Sequence, residues 1–101
     1  MYAVIFKAKT NALDEAYFNM AERMRELAMN EYGCVEFTAV TESSSEIAIS
    51  YWNSMEDIKK WKVNSEHLVA QELGRSKWYK AYTVQIVEVL SEYKRGENIG
   101  N

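Results

Sequence analysis

Six blocks of apolar and polar positions follow one another along the chain. Residues 2–9, YAVIFKAK, carry apolar side chains on both parities, Val4, Phe6 and Ala8 against Ala3 and Ile5. β-Formers in that alternation predict a strand with two largely apolar faces. From Leu13 the spacing changes to threes and fours through Tyr17, Met20, Met24, Leu27 and Ala28, which predicts an amphipathic helix ending near Asn30. Asn11 is expected to cap it, with Asp14 three residues on at the positive helix end. Gly33, after Tyr32, is placed to close it in the left-handed conformation. Alternation returns at Cys34 to Thr41 and again at Glu46 to Trp52, where Ile47, Ile49 and Tyr51 oppose Ala48, Ser50 and Trp52. The polar run Glu42-Ser43-Ser44-Ser45 between them predicts a hairpin. Ser54, followed by Glu56 and Asp57, opens a second helix with Met55, Ile58 and Trp61 on its inner side. Its pattern slips at Asn64-Ser65, and either residue is suited to cap a second helical piece reaching about Trp78. The stretch from Tyr79 to Leu90 reads as a long last strand.

Strand, helix, strand, strand, helix, strand is the order of a ferredoxin-like βαββαβ domain, an α+β fold with a four-stranded antiparallel sheet and both helices on one face. The domain is expected over residues 1–93, with 94–101, KRGENIGN, as a frayed C-terminal tail. Such a sheet leaves one face uncovered. The first and last strands carry bulk on both faces, and an apolar surface above a few hundred Å² is rarely left bare on a monomer, so a homodimer packed sheet against sheet is expected.

Composition narrows the partners. The 101 residues carry a net charge of -3 and a pI near 5.2, with no basic patch, so no nucleic-acid partner is expected. No segment approaches the ~20 apolar residues of a membrane span, and a single cysteine forms no internal disulfide. A cytoplasmic, membrane-free protein is the expectation. One His and one Cys, far apart in sequence, give no metal-ligand spacing. Four scattered glycines give no phosphate loop. Cys34 has no neighbouring base or acid that would make it a nucleophile.

All three tryptophans and the one histidine lie between Ser50 and Thr83. On a helix from Glu66, the positions His67, Gln71, Gly74 and Trp78 form one stripe, the place where polar and aromatic chemistry converge. The run SYWNSMEDIKKWKVNSEHLVAQELGRSKWYKAY resembles the antibiotic biosynthesis monooxygenase (ABM) domain family. The resemblance rests on Ser50-Tyr51-Trp52, Trp61-Lys62, Glu66-His67, Ala70-Gln71, Gly74 and Trp78-Tyr79 with Tyr82, as in a bacterial branch of the family. It implies a dimeric α/β barrel, with a pocket in each subunit between helices and sheet. It also implies either oxidation of phenolic, quinol-like molecules without metal or flavin, or haem binding in the same region. The haem-degrading pattern wants a tryptophan, a histidine ten residues later and an asparagine on the first strand. Trp61 matches the first, but Gln71 stands in place of the histidine and the strand offers Phe6 and Ala8.

Each candidate keeps a structural reading beside the functional one. His67 has the one side chain suited to proton transfer near neutrality. It is either a general base for a phenolic substrate, with Gln71 orienting it, or a helix-cap or core histidine. Trp61 and Trp78, and less so Trp52, line a flat-ligand pocket or simply fill the core. Tyr79 and Tyr82, at odd spacing, are expected on opposite faces of the last strand, either hydroxyl being able to bind a ligand. The leading expectation is a small cofactor-independent monooxygenase acting on an aromatic or quinol-like molecule. The alternative is a non-catalytic dimer that binds or senses a small molecule, haem included.

Overall fold

The computed structural model describes residues 1–71 and 78–96, the side chains of 67–71 excepted. Strand β1 (Tyr2–Thr10) is followed by helix α1 (Glu15–Asn30), strands β2 (Cys34–Glu42) and β3 (Ser45–Trp52), helix α2 (Met55–Gln71) and strand β4 (Tyr79–Glu88). The strands form one antiparallel sheet in the order β2-β3-β1-β4, the ferredoxin-like topology. The last strand stops two residues before Leu90, although Val89 still donates its N–H to the Met1 carbonyl at 2.9 Å.

Local signals explain the boundaries, with two corrections. The cap of α1 is Asp14, not Asn11: its carboxylate accepts from the Tyr17 N–H at 2.9 Å. Asn11 is drawn away because its N–H donates to the Trp78 carbonyl at 2.8 Å, tying the entry of α1 to the foot of β4. Helix α2 runs unbroken through Asn64-Ser65. There the Asn64 amide donates to the Tyr32 hydroxyl at 3.0 Å, and the Ser65 hydroxyl donates back to the Lys62 carbonyl at 3.0 Å. Both polar side chains are thereby satisfied inside the helix and have no need to end it. Ser54 caps α2 as the sequence suggests, accepting from the Glu56 and Asp57 N–H groups. Gly33 closes α1 at φ +79. The hairpin turn is Ser43-Ser44, with Ser43 at φ 55.

The strand register assigns the two faces. Tyr2, Val4, Phe6, Ala8 and Thr10 of β1 look toward the helices, paired with Trp52, Ser50, Ala48 and Glu46 of β3 and with Glu88, Ile86, Val84 and Tyr82 of β4. The open face carries Ala3, Ile5, Ile47, Ile49, Tyr51 and Val87 near its centre and Lys7, Lys9 and Ser45 toward one end. Ile47 is 39% exposed and Val87 38%, so an apolar sheet surface does lie uncovered on the single chain.

Candidate functional site

Among the described residues the buried core under the helices falls into two clusters, with half-buried Met24 packed against both. One cluster holds Val4, Ala28, Cys34, Trp52, Ile58 and Trp61; the other holds Tyr17, Met20 and Trp78. Between them, the row of paired residues across the sheet is Ala39, Ala48, Phe6 and Val84. Ala39 is exposed, Ala48 and Phe6 are half-buried, and Val84 is 40% exposed although it faces the helix layer. Among the described residues, two adjacent alanines and the half-exposed Val84 leave this row of the sheet low between its larger neighbours, a shallow trough in the helix-facing surface.

One wall of the trough is aromatic and polar. The next row across the sheet is Thr41, Glu46, Ala8 and Tyr82. Ala8 is small, so the Glu46 carboxylate, itself buried, stays open to what packs above. Tyr17 of α1 comes down on it and donates its hydroxyl hydrogen to Glu46 Oε1. Tyr79 in turn donates to the Tyr17 oxygen at 3.4 Å. The Thr41 hydroxyl approaches the same carboxylate at 3.5 Å. Burial pushes the Tyr17 hydroxyl far above its usual range, helped by its bond to Glu46. Burial likewise pushes Tyr79 up to about 12, the bond to Tyr17 acting the other way. Phe6 lies under both tyrosines of β4, edge-on to Tyr79 at 5.4 Å and stacked on Tyr82 at 5.9 Å.

Tyr79 and Tyr82 therefore share the helix-facing side, contrary to the expectation of opposite faces. The register of β1 against β4 shifts between Lys9 and Thr10, so that Lys9 pairs with Ala81 and Thr10 with Tyr79. The bulge at Lys80 absorbs one residue and restores parity, bringing the two rings to 5.8 Å. Trp78 joins this wall. It is fully buried against Tyr17 at 5.4 Å, and its indole N–H donates to Asp14 Oδ1 at 3.2 Å.

Trp61 stands in the opposite wall, 9% exposed, its N–H donated to the Met24 carbonyl at 3.0 Å and its ring against Trp52 and Phe37. Trp52 is fully buried, bonded to Ser50. Both are core residues. His67 and Gln71 fall on the last two turns of α2, their side chains outside the described residues, as is Gly74 altogether. Cys34 is buried, with its thiol pushed up by burial and donating to the Glu36 carbonyl at 3.2 Å, the setting of an inert thiol. No group of three or more potential metal ligands occurs among the described residues, and no described helix is long and apolar enough to cross a membrane.

Glu46 was missed in the sequence, where it reads as the first residue of a strand after a polar turn. The signal was parity: Glu46 lies two before Ala48 and four before Ser50, on the face that the helices cover.

No family model matches the chain. It is 40% identical over 89 residues, 87% of its length, to YqjZ of Bacillus subtilis, an uncharacterized protein of which it spans 78%. A jasmonate monooxygenase of Pyricularia oryzae is 23% identical over 96% of the chain, which spans 47% of that protein. Among solved structures, SnoaB, a cofactor-independent oxygenase from Streptomyces nogalater, superposes with a TM-score of 0.73 at 11% identity, covering 93% of this chain and 97% of that one. MhuD with manganese protoporphyrin IX bound superposes with a TM-score of 0.55 at 15% identity, covering 92% and 99%. At such identities the solved structures speak for the fold alone. The relative at 40% identity and the βαββαβ sheet shared with these structures lead to one statement: the chain belongs to one family with YqjZ and has the fold of the antibiotic biosynthesis monooxygenase (ABM) proteins.

Proposed function

We propose that the protein is a monooxygenase that binds an aromatic, quinol-like small molecule in the trough and oxidises it without a resident cofactor. The observation that carries this reading is the alanine-floored row of sheet between two aromatic clusters of the described residues, one of which holds a buried carboxylate and two tyrosine hydroxyls. A flat ring would lie over Ala39, Ala48 and Phe6, a mostly apolar surface with few polar groups, as small-molecule sites are. SnoaB is a cofactor-independent oxygenase and the Pyricularia oryzae relative a jasmonate monooxygenase, which supports oxygenation of a small molecule. In such chemistry the protein supplies orientation, a dry cavity and a base. His67, on the last turns of α2, is the proposed base, and Gln71 its neighbour one turn on. Trp61, Trp78, Tyr79 and Tyr82 are the proposed substrate-binding residues.

The functional unit is proposed to be a homodimer closed through the open sheet face, where Ile5, Ile49 and Tyr51 cluster. Leu90 and Tyr93, 89% and 86% exposed beyond β4, add apolar surface for a second copy to cover.

Oxygen uptake by the purified protein with a panel of hydroquinones and naphthols tests the activity. Protein-dependent uptake, abolished by His67→Ala in a variant that still melts cooperatively, is expected; uptake at the protein-free rate across the panel contradicts the reading.

The porphyrin bound by MhuD motivates a second reading, haem binding. The described donors at the trough do not fit an iron porphyrin: Glu46 and Tyr17 are bonded to each other, and Tyr79 is held in its neutral form. Titration with haemin is expected to give no specific Soret shift.

A further inference from the structure

The polarity of the hydrogen-bond chain at the trough wall is fixed by one group. A carboxylate accepts and does not donate, so Tyr17 must donate to Glu46. With its one hydrogen committed, Tyr17 can only accept from Tyr79, which donates to it at 3.4 Å. Tyr79 has then spent its own hydrogen inward, and what it offers outward, beside the rings of Phe6 and Tyr82, is a lone pair. We propose that Glu46, acting through Tyr17 and Tyr79, makes the trough selective for a ligand that donates a hydroxyl hydrogen, a phenol or quinol, over its methyl ether or its quinone.

This deepens the function proposed above and rests on an aromatic ligand occupying the trough. It assigns Glu46 and Tyr17 as positioning residues: neither needs to touch the ligand, and together they decide which way the Tyr79 hydrogen points. Monooxygenation of a naphthol by dioxygen, one oxygen atom entering the ring and the other leaving as water, gives a quinone, whose carbonyl oxygens accept and do not donate. The same wall that holds the reduced molecule thus leaves the oxidised one facing a lone pair, and release of the oxidised form is favoured. Facing two acceptors against each other forfeits one hydrogen bond at a partly buried position, about a fivefold to hundredfold loss of affinity.

The test is equilibrium binding of 1-naphthol, 1-methoxynaphthalene and 1,4-naphthoquinone to the full chain by calorimetry. The wild type is expected to bind naphthol about tenfold or more tightly than the other two. In Glu46→Gln the amide is able to donate to Tyr17, reversing the chain so that Tyr79 points its hydrogen outward; the preference is expected to vanish or turn toward the quinone. Tyr79→Phe, which keeps the ring and removes the terminus, is expected to bind naphthol and its ether alike, and guards against a Glu46→Gln variant that fails to fold. Equal wild-type affinity for naphthol and its ether overturns the inference while leaving an aromatic site in place, as does a naphthol preference that survives in both variants. Binding of none of the three overturns the aromatic-ligand reading and the inference with it.

Discussion

Asp14 holds together two parts of the chain that lie 64 residues apart, capping α1 through the Tyr17 N–H and accepting the indole hydrogen of the buried Trp78. Its replacement by alanine removes a cap, about 1 kcal/mol, and strands a buried donor, about 1–3 kcal/mol. Asp14→Ala is therefore expected to lower stability by about 2–4 kcal/mol in chemical denaturation, and Asp14→Asn, which keeps an acceptor oxygen, by much less. Equal losses in the two variants would contradict this account of the residue. The tyrosines of the trough wall predict a pH dependence. Both are held neutral in the folded chain above their ordinary value of 10.0, so the stabilisation is complete below about pH 10, where the unfolded chain is also protonated. It falls as pH rises through about 12 for Tyr79. A urea midpoint that stays level to pH 9 and declines above 10, with two tyrosines missing from the ordinary phenolate absorbance step, is the expected result; a full complement of tyrosines ionising near 10 is the contrary one. Of these residues the sequence displayed Trp78, Tyr79 and Tyr82 through their clustering. Glu46 was hidden because a glutamate beside a serine turn looks solvated until strand parity places it under α1.

At the scale of elements, most boundaries could be read because caps and periodicity agree: Ser54 opens α2, and Gly33 closes α1 in a conformation that side chains resist. Gly33→Ala would place a methyl at a left-handed φ and 3.3 Å from the Asp57 carboxylate. A cost of about 1–2 kcal/mol is expected for the conformation alone, read as a lower thermal midpoint; an unchanged midpoint would mean that the α1–β2 junction relaxes freely. Two elements were misread for reasons of the same kind. Asn64 and Ser65 look like a break because sequence shows their polarity and not their partners, Tyr32 and the Lys62 carbonyl, which let α2 run on. Tyr79 and Tyr82 look opposed because alternation assumes an unbroken register, while the bulge at Lys80 is set by how β4 meets Thr10 of β1. A tertiary constraint of that sort leaves no mark in the composition of the strand.

For the whole molecule, the topology was legible because six alternating segments of the right lengths admit few arrangements. The trough was not, because it depends on two alanines, Ala39 and Ala48, falling in one row on neighbouring strands. The bare sheet face is the other feature of this scale. A charge placed at its centre, Ile49→Asp, is expected to convert a micromolar dimer into a monomer in analytical ultracentrifugation with the subunit still folded; a wild type that sediments as a folded monomer at that concentration would remove the dimer from the account. The central claim, that the alanine-floored row of the sheet is a seat for an aromatic ligand, is tested most directly by a crystal structure of the protein with 1-naphthol. The account predicts the ring over Ala39, Ala48 and Phe6 with its hydroxyl within hydrogen-bond reach of Tyr79. A trough filled by the protein's own side chains, with naphthol bound elsewhere or not at all, would contradict it.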